Sequence, residues 1–481
     1  MSPLVALIVA VPGVAAVASG LLPSCVGRPV TALAGLVTAA AIVALAWLTA
    51  HHQSPVDAVS ALFLLPVAIV YGGAGLYSHW YVVAERDAGE AGEGYRREFL
   101  ALTNAFACAE AVVPLLTNVA GMWVALEATT IVAALLVRLQ GTDAALEAAW
   151  KYILIASCGL GLGLVAVVVL YASAGSALGM HHAPEWAAYM HAAKRLEPDG
   201  VRLSFIFALI GFGTKMGLAP MHTWLPDAHG SGPTPTSAML SGIILSDALY
   251  VIVRFTAIAN AAVGPGLARG LFFVVGLLSL FLAAFFLLQQ RDVKRMLAYS
   301  SIEHMGIVAC GFGFGVPLAL TGALLHTINH SASKSLGFFA AGRLADRYHT
   351  REIAGIRGAA SALPVSGGLF VVAALALAGL PPFGIFRSEL MIVSGGFGSS
   401  AYVIAGIVLA LLLVAFGGIV RWVTATTIGD PPDTIRRGEA APYALAAMSI
   451  GFVVVLGLGL AVPGALGSLI AEAAAVIGGT S

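Results

Sequence analysis

Long apolar segments dominate this chain of 481 residues. A transmembrane helix needs about 20 apolar residues to cross the hydrocarbon core of a bilayer. On that measure we predict an all-α polytopic membrane protein with about fourteen transmembrane helices, numbered here as spans one to fourteen. The predicted spans are residues 3–23, 29–50, 57–84, 98–118, 119–139, 146–172, 201–221, 236–257, 267–290, 297–314, 316–341, 363–396, 399–422 and 442–472.

The composition excludes several other classes of protein. Only 10% of the residues are charged and the formal net charge is zero, whereas soluble domains carry about 25% charged residues. This balance excludes a disordered chain and predicts no nucleic-acid partner. The four cysteines are scattered without a CxxC pair, which argues against a disulfide scaffold, an iron–sulfur cluster or a structural zinc site.

A Gly-Leu-x-Pro sequence occurs in two predicted spans, at residues 217–220 in span seven and 379–382 in span twelve. Proline inside a helix removes a hydrogen bond and clashes with the preceding turn, so we predict that both helices are broken. A pair of ordinary proline kinks is the alternative. Paired broken helices are typical of transporters built from two inverted repeats around an ion pathway. We therefore predict two inverted five-helix repeats.

The repeats divide the chain into four parts. We predict an N-terminal part of three helices at 1–95, a first repeat at 96–258, a second repeat at 259–424, and a C-terminal loop with a last helix at 425–481. Most basic residues outside the spans fall in loops that follow odd-numbered spans. The positive-inside rule therefore predicts that these loops face the cytoplasm and that both termini lie on the outer side of the cell (inner) membrane. Residues 181–199 are too polar to span, and we expect an amphipathic helix on the outer surface.

Five ionisable residues fall within the predicted spans, namely Glu127, Lys215, Asp247, Lys334 and Glu389. Each would cost about 3 kcal/mol if left unpaired at the bilayer centre, so we expect them to face one another or water. Residues of this kind mark ion or proton pathways. A lysine in an apolar site also exchanges its proton more readily than a lysine in water. Structural pairing of Glu127 and snorkelling of Lys215 to the membrane surface are the alternatives.

Histidines add a second feature to this pattern. His326, His330 and Lys334 are spaced four apart in span eleven, which predicts one shared helix face. Histidine has a donor and an acceptor nitrogen and titrates near neutral pH, so the stripe suits a proton relay. We predict that His304, which opens span ten, joins it. The HxxxH spacing without a partnered carboxylate or cysteine is only weak support for a metal site, and no metal is predicted.

Other ionisable residues receive more conservative interpretations. Glu303, beside His304, is interpreted as a solvated cap near the membrane surface. Glu110 in span four is ambiguous between that role and a buried one. His222 and His229, at the cytoplasmic end of span seven, are interpreted as surface-loop histidines, with the lining of an entry path as the alternative.

Three stretches of sequence carry a family resemblance. KMGLAPMHTWLPDAH at residues 215–229, followed by GPTPTSA at 232–238, closely resembles the core signature of antiporter-like proton-translocating subunits. Such subunits occur in respiratory complex I, in multisubunit sodium/proton antiporters and in membrane-bound hydrogenases. DVKRMLAYSSIEHMG at 292–306 and GLPPFGIF at 379–386 are most similar to the F subunit of hydrogenase-4 type complexes.

The resemblance implies roles for residues of the first repeat. Glu127 matches the helix-five glutamate that modulates the helix-seven lysine, here Lys215. The family usually places a lysine or histidine on helix eight as a central link, but those positions are Ser241 and Ser246 in this chain. Asp247 lies one residue further along, rotated by about 100° around a helix. Either Asp247 and water replace the usual link, or the central path is weakened.

The second repeat also carries matching residues. His326, His330 and Lys334 match the histidine and lysine pattern of helix eleven. Glu389 matches the acidic residue that some members carry on the broken helix twelve, where others have a lysine. Arg387 lies close enough in sequence to pair with Glu389 or with a group in another subunit.

Three functions remain in competition. The leading prediction is a proton-translocating membrane subunit of a redox-driven complex. The chain has no nucleotide-binding or cysteine-cluster motif. Iron–sulfur, nickel–iron or quinone chemistry is therefore expected only in partner subunits. The expected partners are other membrane subunits and a peripheral redox module. An enzyme activity would then belong to the whole complex. The alternatives are a subunit of a sodium/proton antiporter and a structural scaffold whose relay is degenerate.

Overall fold

The computed structural model describes residues 2–87 and 92–478, and these residues form twenty α-helices. The helices of the first half are α1 Pro3–Leu21, α2 Ser24–Ala50, α3 Ala58–Asp87, α4 Glu93–Val112, α5 Val119–Arg138, α6 Asp143–Leu178, α7 Trp186–Ala192, α8 Pro198–Met216, α9 Trp224–Ser231, α10 Thr234–Met239 and α11 Leu245–Val263. Those of the second half are α12 Gly266–Leu287, α13 Val293–Phe314, α14 Pro317–Tyr348, α15 Ala359–Ala362, α16 Pro364–Leu377, α17 Gly384–Gly398, α18 Tyr402–Thr427, α19 Pro442–Leu460 and α20 Gly464–Gly478.

Ten helical segments of the described chain are long and apolar enough to cross a membrane. They are formed by α1 to α6, by α10 with α11, and by α12, α18 and α19. The long helices outside this set, α8, α13 and α14, carry buried ionisable side chains, which lower their apolar character. The structure thus confirms a helical polytopic membrane protein, and the full count of fourteen crossings stays a prediction.

Both predicted helix breaks are present. In span seven, α8 ends at Met216 and α9 begins at Trp224, with Gly217 at φ +81° between them. In span twelve, α16 ends at Leu377 and α17 begins at Gly384, with Gly379 at φ +67°. Glycine adopts this left-handed backbone conformation without steric cost, so each break begins at a residue suited to it. The inverted repeat itself and the four parts of the chain stay predictions.

The last predicted span, 442–472, was wrong as a single helix. It consists of α19 and α20, separated by residues 461–463, because Pro463 lacks the amide hydrogen that a continuing helix requires. Tyr443 of α19 stacks on His79 in the last third of α3, with ring centroids 3.9 Å apart. Glu472 of α20 lies 3.6 Å from His52, just before α3 begins. The two helices together therefore run antiparallel to α3.

Span eight contains an irregular turn that the sequence did not predict. A π-helical turn, Leu240–Ile244, joins α10 to α11. Such turns free a backbone carbonyl and often occur at functional sites. Here the Gly242 carbonyl accepts a hydrogen bond of 2.6 Å from the Ser331 hydroxyl on α14.

The polar stretch 181–199 contains only a short helix in place of a long amphipathic one. α7 has seven residues and is followed by a 3-10 turn, Ala193–Arg195. An isolated backbone bridge between Asn118 and Glu185 fixes this stretch to the start of α5. The outer membrane surface remains the predicted location of this stretch.

Helices α6 and α8 approach closely through glycines, and this contact positions Lys215 near the end of α8. A Cβ atom added at Gly159 on α6 would lie 2.5 Å from the Cβ atom of Thr214. A Cβ atom added at Gly211 on α8 would lie 2.4 Å from the backbone nitrogen of Gly163. Real side chains do not approach so closely, so only glycine permits this helix separation.

We expect Gly159→Ala to destabilise the protein by about 1–3 kcal/mol, because the added methyl group overpacks the contact with Thr214. The measurement is the thermal aggregation midpoint of the purified protein in detergent, followed by size-exclusion chromatography. Gly161→Ala is the matched control, because Gly161 lies on the same helix with no neighbouring atom within 4 Å of its added Cβ. Equal midpoints for the two variants would contradict the close packing of α6 against α8.

Candidate functional site

Lys215 is completely buried in a cradle formed by one turn of α5. Its ammonium nitrogen donates hydrogen bonds to the Leu126 carbonyl at 2.5 Å and to the Thr129 and Thr130 hydroxyls at 2.6 and 2.7 Å. Both hydroxyls in turn donate to the Leu126 carbonyl, at 2.8 and 3.2 Å. We call Leu126, Thr129 and Thr130 the first lysine cradle. The buried position excludes snorkelling of Lys215 to the surface.

Lys334 on α14 is held in the same way by one turn of α13. Its ammonium nitrogen donates to the Leu297 carbonyl at 2.7 Å and to the Ser300 hydroxyl. The Ser300 and Ser301 hydroxyls also donate to the Leu297 carbonyl, at 3.1 and 3.2 Å. We call Leu297, Ser300 and Ser301 the second lysine cradle.

The two cradles share a sequence pattern that the sequence analysis missed. Residues 126–130 read LEATT and residues 297–301 read LAYSS, so both follow Leu-x-x-[Thr/Ser]-[Thr/Ser]. Hydroxyls at the fourth and fifth positions can bond back to the carbonyl of the first position in a helix. The repeated pattern, one copy in each predicted five-helix repeat, is the signal that could have identified the lysine partners.

Three carboxyl groups surround Lys215 without forming an ion pair with it among the described residues. Lys215 interacts electrostatically with all three, most strongly with Glu110, less with Glu127 and least with Asp247. Glu127 immediately follows the cradle residue Leu126, and its carboxylate accepts a hydrogen bond of 2.7 Å from the Ser157 hydroxyl on α6. The structure therefore brings the predicted Glu127 and Lys215 into one cluster and adds Glu110 to it.

Asp247 joins the cluster around Lys215. It is fully buried and interacts with the carboxyl group of Glu110 on α4, which is also fully buried. Its rotation by one residue from the usual link position turns it from α14 toward α4.

Serine hydroxyls lie at the positions of span eight where the family resemblance placed a central link. These positions are in the π-helical turn and at the start of α11. The Ser241 hydroxyl lies 2.8 Å from the Ser301 hydroxyl in the second lysine cradle. The Ser246 hydroxyl lies 3.4 Å from the Ser331 hydroxyl on α14. Hydroxyl pairs therefore connect the first half of the chain to the second.

The histidines of α13 and α14 form a hydrogen-bonded chain. His304 Nδ1 and His326 Nε2 are 3.0 Å apart, and His326 Nδ1 is 3.0 Å from the Ser388 hydroxyl on α17. The ring of His330 lies 5.4 Å from that of His304. His304 was predicted to open span ten, but α13 begins at Val293, so His304 lies midway along the helix.

Glu389 lies beside this chain, at the second helix break. A Cβ atom at Gly379 would lie 2.2 Å from its carboxylate, so the glycine makes room for Glu389. Ligand atoms of His304, His326 and Glu389 lie within 4.8 Å of one another, so Glu389 adds a carboxylate beside two of the three histidines. Because the two histidines are hydrogen-bonded to each other, we interpret the three residues as a proton-exchanging group. Among the described residues, Arg387 forms no ion pair with Glu389.

Three conservative interpretations of the sequence were wrong. Glu303 is 2% exposed and interacts electrostatically with Lys334, so it is not a solvated cap. His229 is completely buried between Trp224 and Phe338, because α9 folds back into the protein after the break. His222 is also buried.

Cavities open at both ends of α3. One of about 390 Å³ is lined by Tyr77 and Glu85 of α3, together with Lys294 and Arg351. The other, of about 360 Å³, lies at the start of α3 and is lined by Asp57, Arg254 and Glu472. Arg254 binds Asp57 at 2.5 Å there. The two cavities thus open near opposite ends of α3.

The comparisons identify the family of this membrane protein. The model of the family described as "NADH:quinone oxidoreductase/Mrp antiporter, TM" matches residues 117–414. The chain belongs to this family. The match includes both lysine cradles and every predicted relay residue.

Curated relatives and solved structures agree with this family. The hydrogenase-4 component F homolog of Methylacidiphilum infernorum is 37% identical over 388 residues, which cover 80% of each chain. Hydrogenase-4 component B of Escherichia coli is 27% identical over 400 residues, covering 79% of this chain but 57% of that relative. A chain of an archaeal membrane-bound sulfane sulfur reductase superposes with a TM-score of 0.86 at 22% identity, over 99% of this chain and 98% of that chain. That structural likeness shows the shared fold.

Proposed function

We propose that this chain is the proton-translocating membrane subunit of a redox-driven complex of the hydrogenase-4 or complex I type. The proposed relay runs through Glu127 and Lys215 in the first half and through Lys334, the histidine chain and Glu389 in the second. The observation that carries this proposal is the pair of lysine cradles. Each holds a buried lysine without an ion pair in the described residues: the first by a carbonyl and two hydroxyls, and the second by a carbonyl and one hydroxyl.

Hydroxyl and carbonyl ligands suit a lysine that must change its protonation state. An ammonium group donates to them, whereas a neutral amine can accept from the same hydroxyls, so the cradle serves both forms. A tight carboxylate partner would instead stabilise only the charged form. The nearby carboxyl groups can therefore favour or disfavour the charge on each lysine from a short distance.

The histidine chain supports proton movement rather than a purely structural role for the second half. Imidazole can accept a proton on one nitrogen and donate from the other. Both ring nitrogens of His330 lack a hydrogen-bond partner among the described residues, although the side chain is fully buried. Such groups in membrane interiors are satisfied by water, which would continue the relay.

The relatives guide the choice of parent complex. The similarity to a hydrogenase-4 component F homolog favours a hydrogenase-4 type assembly. Other membrane subunits and a peripheral redox module would then be its partners, and any iron–sulfur, nickel–iron or quinone group would belong to them. We place the subunit in the inner cell membrane with both termini outside.

The test uses the native complex, purified through an affinity tag on this chain and reconstituted in lipid vesicles. Mass spectrometry identifies the partner subunits and thereby the electron donor to supply. We expect redox-driven acidification or alkalinisation of the vesicle interior in sodium-free buffer, measured with a pH-sensitive dye. Flux that requires sodium would favour the antiporter function, and turnover without any proton movement would favour the structural scaffold.

We expect Glu127→Gln to lower the number of protons pumped per electron pair about five-fold or more, because typical coupling free energies between sites correspond to changes of at least this size. Glutamine keeps an acceptor for the Ser157 hydroxyl but removes the negative charge that acts on Lys215. Glu147→Gln is the control, because Glu147 is exposed and forms a surface ion pair with Lys151. Equal pumping by the two variants would contradict a role for Glu127 in the relay.

A further inference from the structure

Glu110 and Asp247 form a buried pair of carboxyl groups that the family resemblance did not assign. Both residues are fully buried, and their carboxyl groups interact with each other. None of their four carboxyl oxygens receives a hydrogen bond from a donor in the described residues. A hydrogen bond between two carboxyl groups requires a proton on one of them.

Neighbouring contacts fix this approach independently. The Tyr250 hydroxyl, one turn beyond Asp247 on α11, donates a hydrogen bond of 3.2 Å to the Pro114 carbonyl. Pro114 lies one turn beyond Glu110, in the 3-10 turn that follows α4. Tyr250 also contacts Ser60 of α3, with the two hydroxyls 3.1 Å apart. The ends of α4 and α11 are therefore held together, and the two carboxyl groups cannot easily separate.

Two ionised carboxylates cannot remain in contact in an apolar interior, because their repulsion is not screened there. One proton shared between them leaves a single negative charge on the pair. That charge faces Lys215, which interacts electrostatically with both residues. The pair can therefore neutralise the lysine or take up its proton.

We propose that Glu110 and Asp247 act as one shared-proton site that exchanges a proton with Lys215, in place of the basic residue that helix eight lacks. In the forward step an Nζ–H bond of the Lys215 ammonium group breaks, and an O–H bond forms on the unprotonated carboxylate. One intervening water molecule carries the proton, because no carboxyl oxygen lies within ion-pair distance of Lys215 in the described residues. The step leaves a neutral amine and a neutral carboxyl pair, so one positive and one negative charge disappear together.

This inference rests on the proposed function, and it extends that function to a residue outside the predicted relay. Ser246, at the usual link position, bonds toward α14 and has no ionisable group of its own. The acidic pair lies on the other side of α11. Protons would therefore be stored beside Lys215 before the serine hydroxyls pass them to the second half.

The test compares Glu110→Gln, Asp247→Asn and the double variant in the reconstituted native complex. Because a shared proton needs both carboxyl groups, we expect each single variant to lower the pumping rate by about ten-fold or more. The double variant should be no slower than the slower single variant, because the two residues act as a unit. The exchange variant Glu110→Asp with Asp247→Glu keeps both carboxyl groups and should retain measurable pumping.

Infrared difference spectroscopy supplies a second readout that a packing role would not change. We expect the carbonyl stretch of a protonated carboxyl group to appear during turnover in the wild-type complex and to be absent in the double variant. Glu98→Gln is the control, because Glu98 lies on the same helix, is exposed and binds Arg138 at the surface. Assembly of every variant is checked by its size-exclusion profile.

The outcomes separate this inference from the proposed function. Three results would each overturn the shared-proton site. They are single variants that both pump at the wild-type rate, a double variant whose loss is the product of the two single losses, and a carboxyl band that is unchanged in the double variant. If these results occurred while Lys215→Ala still abolished pumping, only the acidic pair would be rejected. If Lys215→Ala pumped normally, the proposed function itself would fail.

Discussion

A complex carrying Lys215→Ala is expected to assemble normally and to lose redox-driven proton pumping. The ammonium nitrogen of Lys215 binds the first lysine cradle and interacts electrostatically with the surrounding carboxyl groups. Without it, Glu110, Glu127 and Asp247 have no buried base with which to exchange a proton. A missing acid–base group typically costs about 100-fold or more in rate, so we expect pumping to fall below detection.

Assembly should survive because the cradle remains satisfied. The Thr129 and Thr130 hydroxyls already donate to the Leu126 carbonyl, so no buried donor loses its acceptor. The measurement is the number of protons moved per electron pair in vesicles, together with the subunit composition of the purified complex. Lys194→Ala is the control, because Lys194 is exposed in the short turn after α7. Normal pumping by an assembled Lys215→Ala complex would support the scaffold alternative.

The sequence predicted the two breaks at Gly-Leu-x-Pro but not the break in the last predicted span. Glycine followed by proline has a local steric consequence, and the breaks after Met216 and Leu377 occur where the Gly-Leu-x-Pro pattern placed them. The break before Pro463 was missed because the flanking residues are continuously apolar, and apolar length alone does not show where a helix stops. The π-helical turn at 240–244 has no comparable signal, because it depends on the packing of Ser331 against Gly242.

The site could be predicted only where the spacing of residues along one helix was enough to place their side chains together. The stripe of His326, His330 and Lys334 follows from spacing along one helix. The approach of Glu110 to Asp247 depends instead on how α4 packs against α11. A single sequence does not reveal this packing. His229 was misjudged for a related reason: its polar neighbours in sequence suggest a loop, but the break in span seven folds α9 back into the protein.

Lys334→Ala is expected to abolish pumping as completely as Lys215→Ala, although the two lysines lie in different halves of the chain. The second lysine cradle matches the first in its carbonyl acceptor and its hydroxyl spacing. Glu303 acts on Lys334 electrostatically as the acidic cluster acts on Lys215. If protons pass through both halves in series, removal of either lysine stops the whole path, and the double variant should show no further loss.

The measurement is again the number of protons moved per electron pair, now compared among the two single variants and the double variant. Thr327→Val is the control, because Thr327 lies two turns before Lys334 on α14 and its buried hydroxyl bonds only the Ala323 carbonyl of its own helix among the described contacts. Retention of about half the pumping by each lysine variant would instead indicate two parallel paths. In that case the serine hydroxyls between the halves would not carry protons, because each lysine would serve its own route across the membrane.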